Sequence, residues 1–433
     1  MKKTRHCRSI KIAILAEEPI GWKSGIHYFM TILDGYFWHG KNQDYKITAE
    51  YVYDKDITKN KLLNSNFDVL LVPGGGVGDG ECLTKGFKRI PWIKKWKKNI
   101  RSFIQNGGGY VGICGGAALL TELITENPKK TFVEKLYNNS ALDVSSVQSY
   151  YKDLAFPIFY PRQRWLPEKI GAASYVFSFQ PGETEDGRKI LSGGVPLDFK
   201  INSDHDFFNG YDQKEIRMRW WGGPGLVIPP AFKKSVSVLA WYPSEEFSMA
   251  ENSKIHPWRY TGGLFGLING LKKAVSFIRK EKIDLKQLFT YLFYFAGDWK
   301  KTNNDLDLNL KNRAAITCEI YPNEHKGRIF LCATHPEYMV WNGGCVTEVD
   351  ETDYNCIGYG FHQWKSIKDF SKTGLKELTS TWWLVRRAVA WSAKVKSEDF
   401  PPIHEDDEKK DKKEKLAEDL FWDGSLKSQI ENI

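Results

Sequence analysis

Two stretches of this chain, FDVLLVPGGG (67–76) and GYVGICGG (109–116), share one design: a short apolar β-type run that ends in glycines. Near-continuous apolar character over four to six residues is what a strand covered on both faces requires, and that is the environment of a parallel sheet. SIKIAILA (9–16) and YKITAEYVY (45–53) have the same character. Between these runs, 25–40 and 91–105 carry apolar residues at helical spacing. In the second, PWIKKWKKNIRSFIQNG, Pro91 suits a first helical turn and Gly107 a C-terminal cap. Strands alternating with helices predict a doubly wound α/β unit, a mostly parallel sheet with helices on both faces. The two glycine loops then fall at the carboxyl edge, where open α/β sheets bind ligands.

The remainder is less regular. From 121 to about 260 the chain is rich in aromatic residues, Pro and Gly, including RMRWWGGPGLVIPP, and reads as insertions walling the crevice. Residues 264–282 and 285–296 read as a helical pair. GRIFLCATHPEY (327–338) reads as a strand entering a loop, and STWWLVRRAVAWSAKV (380–395) as a terminal helix. The expected organisation is one α/β domain over 1–399. Its core is about 9–120 and 313–397, its insertions about 121–312 include the helical pair 264–296, and a charged tail follows over 400–433.

Charge and cysteine usage narrow the class. The 433 residues carry a formal net charge of +9, but the densest basic patch is the lysine-studded helix 91–105, the pattern of a surface helix docked on a sheet; nucleic acid is not the favoured partner. No apolar run reaches the ~18 residues of a spanning helix, so no transmembrane segment is expected. The seven cysteines are scattered without a CxxC pair, which fits free thiols in a reducing compartment, and the expected location is the cytoplasm. Cys332, His335, Cys345 and Cys356 begin with a C-x-x-H spacing, but the other gaps match no familiar zinc site, so no metal is assigned.

Cys114 stands at the strand-to-helix turn of GYVGICGG. The neighbours Gly112, Gly115 and Gly116 permit a sharp bend that pushes the side chain out of the sheet. The unpaired amides and positive dipole end of the following helix favour a thiolate there. The same amides can hold an oxyanion, with Gly115 as one donor and Gly75 or Gly76 from the other loop as the second. The base is expected at His335 in THPEY. Pro336 holds His335 extended, and side chains at i and i+2 of an extended chain share a side, which sets Glu337 beside the imidazole. Cys114, His335 and Glu337 thus form a coherent nucleophile, base and orienting acid. Glu17 and Glu18 follow the first strand directly, and Glu18 is a possible auxiliary carboxylate at the thiol.

GYVGICGG, ATHPEY and VPGGG together resemble the class I glutamine amidotransferase superfamily, and within it the branch similar to the N-terminal domain of biotin–protein ligases. The resemblance covers roughly 9–120 and 327–395, and 200–230 loosely through WWGGPG. It implies a flavodoxin-like core with a Cys-His-Glu triad, a small-molecule or peptide amide as substrate, and no cofactor. The ligase module's own motifs are missing, so biotin ligation is not implied. Where glutamine-using members carry Gln in G-x-C-x-G-x-Q, this chain has Ala118. The alternative expectation is a catalytically inactive binding or regulatory module of the same fold, with 400–433 as an element that docks a protein partner.

Overall fold

The computed structural model describes residues 5–17, 23–74, 85, 89–126, 129–130, 132–152, 178–183, 189–244, 248–249, 253–254, 258–260, 268, 299–301, 309–321, 326–342, 347–348 and 377–403. The helical pair expected at 264–296 lies outside them apart from Ile268, as does the tail from residue 404.

Thirteen strands make the main sheet. In chain order they are β1 (Cys7–Leu15), β2 (Phe37–His39), β3 (Asp44–Val52), β4 (Val69–Val72), β5 (Gly109–Ile113), β6 (Glu122–Ile124) and β7 (Gln148–Tyr150). Then come β8 (Val195–Ile201), β9 (Glu215–Trp220), β10 (Gly225–Val227), β11 (Val236–Trp241), β12 (Ala314–Ile320) and β13 (Arg328–Cys332). The path across the sheet is β9-β8-β11-β12-β13-β5-β4-β1-β3-β2, and β10, β7 and β6 branch from β12. β3, β1, β4, β5 and β13 run parallel. Taken in chain order, those five read 2-1-3-4-5, the flavodoxin-like order. Beyond β13 the strands pair antiparallel except β6 with β7, which are parallel, and β2 is antiparallel at the opposite edge.

Every residue of β4 and β5 is buried, as their unbroken apolar runs require. Helix α1 (Lys23–Leu33) and the terminal helix, called α5 below (Trp382–Ser392), pack on each other, and Arg386 Nε donates to the carbonyl of Ile32 at 3.3 Å. Helix α2 (Pro91–Gln105) starts on its proline and buries Ile93, Trp96, Ile100, Phe103 and Ile104, with most of its lysines outward. Right-handed crossovers place α1 and α2 on opposite faces. Burying each such side chain contributes about 1.5–3 kcal/mol. Two further helices are α3 (Gly115–Leu120) and α4 (Phe132–Ser140).

The helix expected over 25–40 is shorter. α1 stops at Leu33, Gly35 turns the chain at φ 75°, and Phe37–His39 becomes an edge strand on β3. Most of the described part of the middle segment is more regular than its composition indicates: β8, β9, β10 and β11 extend the core sheet. The docked chain runs through Ile403, with Arg387 Nε donating to the Pro401 carbonyl at 2.8 Å and Phe400 against Phe207. Among the described residues no helix is long and apolar enough to cross a membrane.

Candidate active site

Cys114 sits between the end of β5 and the first residue of α3, with φ 48° and ψ −108°. A non-glycine residue in that region costs on the order of 1–3 kcal/mol, so surrounding contacts must enforce it. The Cys114 amide donates to the Cys332 carbonyl at 2.6 Å, and the Cys114 carbonyl accepts from the amides of Ala117 and Ala118 at 3.1 and 3.2 Å. Tyr110 Oη donates to the Gly116 carbonyl at 2.7 Å. A Cβ on Gly116 would lie 2.1 Å from the Val72 carbonyl oxygen. The bend is thus pressed against the end of β4, which only a glycine at 116 permits.

His335 follows β13, as the sequence places it. Its amide donates to the Arg219 carbonyl at 2.8 Å, a bridge that fastens the loop to the end of β9. His335 and Glu337 are fully buried, and Nδ1 stands 2.8 Å from Glu337 Oε1, so the ring donates to the carboxylate. Tyr338 stacks on the imidazole, with centroids 4.9 Å apart and planes 11° from parallel, and Trp221 meets it edge-on at 6.5 Å. α5 holds the loop from beneath: Thr381 Oγ1 donates to the Pro336 carbonyl at 3.0 Å and Trp382 Nε1 to the Glu337 carbonyl at 2.8 Å.

Gly74 brings the pieces together. A Cβ there would fall 2.4 Å from His335 Cε1 and 3.0 Å from Cys114 Cβ, so Cys114 and the imidazole flank a single glycine at the end of β4. A Cβ on Gly25, in the first turn of α1, would lie 3.6 Å from Glu337 Oε1. The positive end of that helix therefore faces a carboxylate whose Oε2 has no hydrogen-bond partner among the described residues.

Burial by itself pushes the His335 imidazole down. The Cys114 sulfur and the Glu337 carboxylate, acting as charges and as hydrogen-bond partners, outweigh it and raise the ring to about 10. A ring raised in this way carries a proton at neutral pH, beside a carboxylate that accepts from its Nδ1. Burial pushes the thiols of Cys318 and Cys332 up to about 12.

Gly115, expected as an oxyanion donor, is the buried first residue of α3. Gly75, Gly76 and Glu18 lie outside the described residues, as do Cys345 and Cys356. Glu17 is turned to the short helix after β3, Asp54–Thr58, where its Oε2 accepts from the Asp54 amide at 3.0 Å. Ala118 is fully buried within α3. Among the described residues no group of three His, Cys, Asp or Glu is placed to hold a metal ion. Gly74, Arg219, Trp221 and Tyr338 are site residues that sequence reasoning did not single out. Tyr338 and Gly74 adjoin the motifs already quoted, whereas Arg219 and Trp221 carried only the aromatic character of RMRWWGG as a signal.

No protein-family profile matches the chain, and no curated protein matches it. A solved structure described as a ThuA-like protein from Bacteroides uniformis is similar over 57% of this chain and 75% of its own, at 10% identity and a TM-score of 0.28. The fold assignment rests on the strand order and pairing given above.

Proposed function

We propose that this chain is a cysteine hydrolase or amidotransferase-like enzyme acting on an amide or related acyl bond of a small molecule or peptide. The observation that carries the reading is the convergence of Cys114 and His335 on Gly74, with Glu337 accepting from Nδ1 of the ring. The Cys114 thiolate attacks the carbonyl carbon, and the negative charge developing on oxygen falls to backbone amides at Gly115 and in the glycine loop of residues 74–76. The carbon–nitrogen bond breaks as the imidazolium gives its proton to the leaving amine. Water or an amine then loses a proton to His335 and attacks the thioester, releasing the acid or new amide and returning the thiol. Glu337 fixes the ring's tautomer and offsets its charge throughout. No step requires a cofactor. The motifs support the amidotransferase-like branch similar to biotin–protein ligase N-terminal domains, and free thiols support a reducing, cytoplasmic setting.

Iodoacetamide labelling near neutral pH tests the reading. Cys114 is expected to label faster than Cys318 and Cys332, and equal rates at all three would refute it. An acyl adduct found on Cys114 by mass spectrometry after incubation with cell extract would identify the substrate class.

A second reading is favoured by burial. Cys114 is 5% exposed and His335 0%, which suits a binding or regulatory module that keeps the fold with its nucleophile shut in. In that case Cys114→Ala leaves the cellular phenotype intact, and the enzyme reading predicts its loss.

A further inference from the structure

Arg219 is an arginine with no accessible surface, contributed by the middle segment and not by the core that holds Cys114, His335 and Glu337. Its carbonyl accepts the amide of His335 at 2.8 Å. Its side chain turns back on the same loop, where Nε and Nη2 both donate to the Met339 carbonyl, at 3.0 and 2.7 Å. One residue therefore grips both ends of the turn 335–339, the turn that carries the imidazole and its carboxylate. The turn closes on itself through the Tyr338 amide and the His335 carbonyl at 3.2 Å. Arg219 and His335 lie directly opposite in an antiparallel bridge, a placement that sets their side chains on one face.

Burying a guanidinium is costly, and packing alone is better served by an apolar side chain of similar volume. Arg219 faces Tyr28 and Tyr338, and Tyr338 is the ring stacked on the imidazole. Burial lowers the guanidinium to about 10, partly countered by those tyrosines, so it remains a cation at neutral pH.

We propose that Arg219 is a positioning residue for the Cys114–His335 pair: it clamps both ends of the turn that presents the ring and its carboxylate. The proposal rests on the enzyme reading above. It assigns the middle segment a part in the chemistry, beyond walling a crevice.

The test is the pH profile of Cys114 alkylation in the full chain, for wild type, Arg219→Lys and Arg219→Gln, with circular dichroism as the check on folding. Lysine keeps the charge but loses the fork, and glutamine loses both. The acid limb of the profile is expected to move to higher pH in both variants, because both lose the fork on the Met339 carbonyl, and labelling near pH 6 falls by about tenfold for each pH unit moved. Profiles of folded variants that superimpose on wild type overturn the proposal. If Arg219→Gln does not fold, the Lys profile decides by the same criterion. Should wild-type Cys114 label no faster than Cys318 and Cys332, the enzyme reading fails; a fast wild type with unmoved variants sinks only the role of Arg219.

Discussion

Gly74→Ala tests the site with the smallest possible change. The added methyl carbon would stand 2.4 Å from His335 Cε1 and 3.0 Å from Cys114 Cβ, whereas carbon atoms rest at about 3.5–4.0 Å. More than about 1 Å must therefore open between the two residues. The imidazole has little room to yield: Tyr338 is stacked on it, and Nδ1 is tied to Glu337 at 2.8 Å. Overpacking of this size costs about 1–3 kcal/mol of stability, which a chain of this size survives. The coupling of sulfur to ring suffers far more. Iodoacetamide labelling of Cys114 near pH 6, read by peptide mass spectrometry, is expected to slow by about a hundredfold, the lower end of what a positioned base supplies, while the urea midpoint falls only modestly. Labelling of folded Gly74→Ala at the wild-type rate would mean that sulfur and ring are not coupled across this glycine.

Other perturbations separate the parts. Glu337→Gln keeps the shape but removes the charge beside Nδ1; alkylation of Cys114 near pH 6 is expected to fall at least tenfold, because a carboxylate that raises the imidazole is gone. An unchanged rate would count against the third member of the set. Asp399 docks the chain end by accepting the Asn42 amide at 2.7 Å and the Tyr45 hydroxyl at 3.0 Å. Burial raises its carboxyl, but these bonds outweigh burial and hold it below the ordinary carboxylate range. Its contribution to stability is thus full above the unfolded value near 3.9 and is lost as pH falls through the lower folded value. The gap in urea midpoint between wild type and Asp399→Asn should close on acidification through that window, and a gap independent of pH would contradict the assignment.

Much of this site is legible because its signals are local. The run of β5 is recorded in five consecutive buried residues, and the bend at Cys114 in the glycines around it. His335 does pair with Glu337, but across a turn closed by the Tyr338 amide on the His335 carbonyl, where the two-residue repeat of an extended chain does not apply. The edge strand Phe37–His39 is hidden because YFWH continues the apolar spacing of α1, and Gly35 alone marks the break. The strands between 195 and 241 are hidden for another reason, since aromatic and proline-rich composition masks a period of two that shows only once neighbours are known. Arg217 and Arg219 make the point in three residues. They share a strand face, yet Arg217 meets Asp198 at the surface while Arg219 is covered by a loop more than a hundred positions away. No local pattern distinguishes them.

The central claim is that Cys114 and His335 share a charge across the site. It is tested most directly by the protonation of the His335 ring, read by 15N NMR in protein labelled at histidine, for wild type and Cys114→Ala. With the imidazole raised to about 10 by the sulfur and by Glu337, wild type should carry protons on both ring nitrogens near neutral pH. In Cys114→Ala the ring pKa should fall, leaving a larger neutral fraction at the same pH. A neutral ring in the wild-type protein, or a ring that titrates identically with and without the sulfur, would contradict the account.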